Sequence, residues 1–168
     1  MPPLGRPGRR PDRPTKKMAI IATKGTLDMA YPPLILGSTA AALGWDVQVF
    51  CTFYGLQLLR KDLSGIAISP LANPAMPMPV PMPVMVAALP GTEAMATSMM
   101  KAKMKKKGVA SLEELRSLCI ESDVKFIACQ MTVDLFDFQR SDFIDGIEFG
   151  GAAMFMKFAG ETDVCLFI

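Results

Sequence analysis

The sequence predicts an α/β fold, a three-layer α/β/α sandwich around a mainly parallel sheet of about five strands. Two observations carry that prediction. Short, continuous apolar runs of strand length recur along the chain, the signature of strands buried on both faces. Segments with helix caps and helical spacing stand between them, giving the strand–helix alternation of a parallel sheet. With 168 residues, 51% of them apolar and 20% charged, the chain is of single-domain size and can bury a core.

The first strand is expected at 18–23, Met-Ala-Ile-Ile-Ala-Thr, followed by a turn at 24–28. A helix is expected from about 30 to 43, with Pro32 and Pro33 tolerated in its first turn and Gly44 placed to end it. Residues 45–51 alternate as a second strand and complete a β-α-β unit. Thr92 to Lys107 reads as a helix with a lysine-rich end. Ser111 and Glu114 form a capping box for a helix whose apolar face holds Leu112, Leu115, Leu118 and Cys119. A strand at 124–129 then runs into a short helix from Gln130 to about Phe136. A short strand at 146–150, a helix at 151–158 and a closing strand at 164–168 finish the alternation.

Two regions differ from this pattern. Residues 1–17 hold Arg6, Arg9, Arg10, Arg13, Lys16 and Lys17 against Asp12 alone, together with five prolines, and are expected to be a disordered basic arm. The remaining chain, 18–168, is expected to be one domain and is net acidic, which does not describe a nucleic-acid-binding domain. From Leu63 to Thr92 no residue is charged, but Pro70, Pro74, Pro77, Pro79, Pro81, Pro83 and Pro90 interrupt the run. Each interior proline costs a helix about 3 kcal/mol, so membrane contact is compatible with this stretch and a spanning helix is not. It reads as an apolar, Pro/Met-rich insertion at about 64–92.

The absence of histidine removes Ser-His-Asp and Cys-His catalysis and imidazole metal ligation. No metal centre is expected, because the methionines lack the cysteine pairs or histidines that would make a soft-metal site. Chemistry is left to carboxylates, lysines or thiols. Cys51, Cys119, Cys129 and Cys165 show no CxxC spacing and no disulfide pattern, which fits free thiols in a reducing cytoplasm. Cys129 is the sharpest candidate. It ends a strand and precedes a helix, at the sheet edge where α/β proteins place ligands and where free N–H groups favour a thiolate. The same position equally suits a small core residue. Cys51 also ends a strand and stands as a second candidate thiol. Cys119 and Cys165 read as buried structural residues. Thr23, Gly25, Thr52 and Gly55, at the ends of the first two strands, would shape the pocket without doing chemistry.

At 127–135, Ile-Ala-Cys-Gln-Met-Thr-Val-Asp-Leu, the chain resembles the DsrE/DsrF/DsrH-like sulfur-relay family, in particular its longer DsrE-like branch often described as peroxiredoxin-like. Residues 22–25, 50–56, 73–77, 89–91, 99–100, 146–151 and 166–168 share the likeness, which spans roughly 18–168. The family pattern has glycine where Asp137 stands. The resemblance implies a parallel α/β/α sandwich, a homo-oligomer, no cofactor, and sulfur carried as a persulfide on Cys129. It also implies exchange with rhodanese-like and TusA-like proteins. Two other functions stay open on the residues themselves: a non-catalytic oligomeric interaction module, and a flavodoxin-like small-ligand binding domain.

Overall fold

A computed structural model describes residues 15–68 and 91–168. Five parallel strands form one sheet in the order β4-β3-β2-β1-β5. They are β1 (Lys17–Ala22), β2 (Asp46–Cys51), β3 (Lys125–Cys129), β4 (Glu148–Gly150) and β5 (Val164–Phe167). Among the described residues, five α-helices accompany them: α1 (Leu27–Ala42), α2 (Thr92–Lys106), α3 (Leu112–Glu121), α4 (Gln130–Leu135) and α5 (Ala152–Ala159). A 3-10 segment, Phe53–Leu59, follows β2. The three-layer parallel fold read from the sequence is the fold observed. Most of the arm expected at 1–17, and residues 69–90 of the insertion expected at about 64–92, lie outside the described residues. Lys17 already belongs to β1, where its N–H donates to Asp163 and its ammonium pairs with Glu161 at 2.6 Å. Among the described residues no helix is long and apolar enough to cross a membrane.

Strand side chains divide cleanly between two faces because successive residues point to opposite sides of the sheet. Met18, Ile20, Ala22, Val47, Val49, Cys51, Phe126 and Ala128 enter the larger core, which also takes Leu34 from α1, Leu112 and Cys119 from α3, and the edge of α2. Ala19, Phe50, Ile127 and Cys129 face the other way, into a small cluster closed by Phe155 of α5. The Phe155 ring stacks on Phe50 at 5.0 Å between centroids.

Three elements differ in detail from expectation. α1 starts three residues earlier than its apolar pattern suggests, so Pro32 and Pro33 sit in its second turn and not its first. The prolines cannot donate to the carbonyls one turn back. The early start is fixed instead by tertiary contacts: Leu27 is buried, and its N–H donates to the Ala67 carbonyl at 2.7 Å. In α3 the capping box forms as expected, but Leu118 is exposed and Arg116 is buried in its stead. The Arg116 guanidinium donates to the carbonyls of Leu58 (2.9 Å) and Arg60 (2.6 Å), satisfying backbone acceptors at the end of the 3-10 segment. Cys165, expected to be buried in the closing strand, lies in β5 but is exposed, because the outer face of β5 has little cover among the described residues.

Helix ends follow a common rule. α1, α2, α3 and α4 all close with a left-handed residue, at Gly44, Gly108, Asp123 and Asp137 respectively. At each, the next residue's N–H reaches back to the third-last helical carbonyl, as from Trp45 to Ala40 and from Phe138 to Val133. Asp137, with φ +53°, therefore occupies a conformation that glycine adopts without strain.

Candidate functional site: Cys129 at the sheet edge

Cys129 is the last residue of β3 and the N-cap of α4, as the sequence suggested. It is 5% exposed and lies on the thinly covered face beside Ile127, Phe50 and Phe155. Burial works against its ionisation. That penalty is outweighed by the neighbouring hydroxyls of Thr132 and Thr52 and the backbone N–H groups of Thr132 and Met131, which favour the thiolate, so the thiol lies below its ordinary value of 9.0. The donors are hydroxyls and amides, not a basic side chain. The chemistry this favours is nucleophilic attack by a thiolate.

Thr132 was not singled out from the sequence. It is fully buried, and its Oγ1 lies 3.1 Å from Thr52 Oγ1 and accepts from the Phe53 N–H at 3.3 Å. The available signal was positional: a hydroxyl residue three places after an N-cap points back at the helix start. Phe53 has φ +47°, a left-handed conformation unusual for an aromatic residue, and this turn aims its N–H at Thr132.

The other expected site residues are distributed unevenly. Thr52 joins Cys129. Thr23 does not: its hydroxyl donates to the Ile168 carbonyl at 3.0 Å, towards β5. Gly25 and Gly55 serve close backbone approach. A Cβ on Gly25 would lie 2.2 Å from the Tyr54 carbonyl oxygen, and one on Gly55 would lie 2.1 Å from that of Ala22. The two glycines thus press the end of β1 against the start of the 3-10 segment. A neighbouring open cavity of about 460 Å³, lined by Lys24, Gly25, Met29, Tyr54 and Gln57 among others, does not include Cys129.

Cys51 does not share the site. It pairs in register with Ala128, so its side chain points to the face opposite that of Cys129. It is fully buried, and that burial pushes its thiol up to about 12. Cys119, likewise buried, donates to the Leu34 carbonyl and is pushed up to about 11.

Around the Cys129 thiol the surface is apolar. Phe53, Tyr54, Met131 and Leu135 are all exposed, and the Tyr54 ring stacks on Phe136. Beyond this rim, Gln130 donates to Asp134 at 2.7 Å and accepts from Arg140 at 3.2 Å.

Residues 14–167 match the model of the DsrE/DsrF/DrsH-like family. The chain belongs to that family. Among its relatives is the sulfur carrier protein DsrE2 of Allochromatium vinosum, 65% identical over 157 residues, covering 91% of this chain and 98% of the relative. The uncharacterized protein YrkE of Bacillus subtilis is 32% identical over 160 residues, covering 92% and 98%. The crystal structure of the ychN protein from E. coli superposes with a TM-score of 0.54 at 12% identity, covering 92% of this chain and all of the other. That likeness concerns the fold. The family resemblance read from 127–135 and the segments around it is thus borne out, and the DsrE2 relative supports a role in sulfur relay.

Proposed function

We propose that this protein is a sulfur carrier that holds sulfane sulfur as a persulfide on Cys129 and exchanges it with thiols of partner proteins. One observation carries the reading: among the described residues, the thiol held below its ordinary value, by neighbouring threonine hydroxyls and backbone amides, is the cysteine at the sheet edge. The likeness to a named sulfur carrier protein over nearly the whole chain supports it.

In the loading step the Cys129 thiolate attacks the outer sulfur of a donor persulfide. A new S–S bond forms as the donor's S–S bond breaks, and the donor thiolate leaves with the electron pair. The proton of the donor persulfide stays on the transferred sulfur, so the step is neutral in redox terms. Delivery is the reverse, with Cys129 leaving as thiolate from the attacked sulfur. No histidine base is needed, because the nucleophile is already ionisable and thiolates are good leaving groups. The fitting partners are rhodanese-like and TusA-like sulfur-transfer proteins in a reducing cytoplasm, where the four free cysteines stay reduced. A homo-oligomer would cover apolar surface such as Phe167 on β5, which is 75% exposed.

The test is to incubate the protein with polysulfide or a persulfidated donor and to map added sulfur by peptide mass spectrometry. Sulfur is expected on the Cys129 peptide, lost in Cys129→Ser and kept in Cys51→Ser. Equal uptake by wild type and Cys129→Ser would end the carrier reading and leave an interaction module as the better account.

A further inference from the structure

We infer that the outward face of α2 is a docking surface for an anionic lipid bilayer, on which the protein lies without spanning it. The inference goes beyond the carrier reading and does not depend on it.

The packing of α2 fixes which of its sides is left over. Thr97 marks the inner side: it is buried, and its hydroxyl oxygen accepts from the Ile68 N–H at 3.0 Å. Ala96, Met100 and Met104 pack against the core beside it. The opposite side carries a stripe that the fold does not use. Met95 and Met99 are 56% and 65% exposed, and Ala102 and Lys106 continue their line at the four-three-four spacing of one helix face. Lys101 and Lys105 flank that stripe on one side and Lys103 flanks it on the other, with Lys107 at the C-cap. All five lysines are exposed.

Charge on this face is one-sided. Glu93, in the first turn, is the one acidic residue of the helix. Lys101 donates to the Ser64 carbonyl at 3.3 Å and lies in the field of Asp62. Among the described residues, the ammonium groups of Lys103, Lys105, Lys106 and Lys107 have neither a hydrogen bond nor an ion pair. Cations at a helix C-terminus favour the macrodipole, but that effect acts within the last turn and gives no reason for exposed methionines. In sequence, the run from Leu63 to Thr92 that leads into α2 holds no acidic residue to repel an anionic surface. An apolar ridge between two flanks of lysine matches a bilayer interface. The methionine side chains enter the acyl boundary, while the lysine stems lie along it and their ammonium groups reach the lipid phosphates. A nucleic acid or an acidic peptide would engage the lysines and leave both methionines in water. Each lysine near an anionic leaflet strengthens binding about fivefold, so charge supplies most of the affinity and the ridge supplies the preference for lipid.

The experiment sediments the full chain with vesicles of phosphatidylcholine alone and of equal parts phosphatidylcholine and phosphatidylglycerol. Wild type is expected to bind the second kind at least about tenfold more tightly than the first, and to be released as salt is raised. The combined variant Lys103→Gln, Lys105→Gln, Lys106→Gln and Lys107→Gln is expected to bind about a hundredfold more weakly. Met95→Gln with Met99→Gln is expected to cost about tenfold. The substituted side chains are exposed, so circular dichroism and sulfur uptake at Cys129 are expected to stay as in wild type. Should the four-lysine variant not fold, Lys103→Gln with Lys106→Gln decides in its place, with binding down about tenfold. Wild type that binds both vesicles equally, or neither, overturns the inference. So does a folded lysine variant that binds as wild type does, which assigns the contact to the basic residues of 1–17. A methionine variant with unmoved binding overturns the bilayer as the occupant, because charge alone then accounts for the contact. Wild type that ignores vesicles but is retained on polyglutamate or RNA through the same lysines overturns it too, in favour of an acidic partner.

Discussion

On one face of the sheet, beneath α1, α2 and α3, a cysteine behaves as a small apolar side chain. On the other, beneath α5, it behaves as an acid. Cys51 and Cys129 end neighbouring strands one residue out of register, and both are at least nineteen-twentieths covered. Their thiols nevertheless move in opposite directions, up to about 12 for Cys51 and below the ordinary value for Cys129. Burial opposes ionisation in both, and it weighs more heavily on Cys51, which sits deeper in the larger core. The donors add to that difference: burial alone acts on Cys51, whereas the hydroxyls of Thr132 and Thr52 and the amides of Thr132 and Met131 favour the Cys129 thiolate. Reactivity in this fold thus follows both the depth of a thiol and the donors on its side of the strand.

Removing the cover of the thin face should break the contrast most. Phe155→Ala deletes the ring that closes the small cluster, and a loss of about 3 kcal/mol in urea denaturation is expected. Alkylation of Cys129 should quicken while Cys51 stays unlabelled in the folded protein. Equal labelling of the two would show that the faces are not distinct. The next effect sharpens the deep side. A thiol whose pKa rises on folding holds its proton longer in the native state. Its stabilisation is complete below the unfolded value near 9.0 and is lost as pH climbs towards about 12. Between pH 8 and 10 wild type should therefore lose about 1.4 kcal/mol more stability than Cys51→Ala, measured by denaturation at each pH. The smallest effect concerns the helix that follows Cys129. Asp137→Gly relieves a left-handed residue at the end of α4 and should add about 0.5 kcal/mol without altering Cys129 alkylation.

Much of the fold was legible because its signals are local. Apolar runs bounded by turns located the strands, Gly44 and the Ser111–Glu114 pair located helix ends, and Cys129 fell where a strand meets a helix. What escaped depends on contacts distant in sequence. The early start of α1 is held by Ala67, and the burial of Arg116 in place of Leu118 is decided by carbonyls of Leu58 and Arg60. Within the site, period-two alternation already implied that Cys51 and Thr52 face opposite ways. Only the register with β3 shows which of them accompanies Cys129. Thr132 escaped because a hydroxyl in a short apolar helix looks like filler until a strained N–H from another segment is seen to reach it.

The two close glycine contacts and the Arg116 clamp have a bearing on how the site can open. Residues 53–60 are wedged at the start against the backbone of β1 and tied at the end by a guanidinium. A swinging flap is therefore not available on this side of the thiol. The residue two places on from Cys129, Met131, is exposed and carries an unbranched, readily turned side chain. On the proposed carrier reading, a partner's sulfur would then reach Cys129 past single side chains and not past a moving loop.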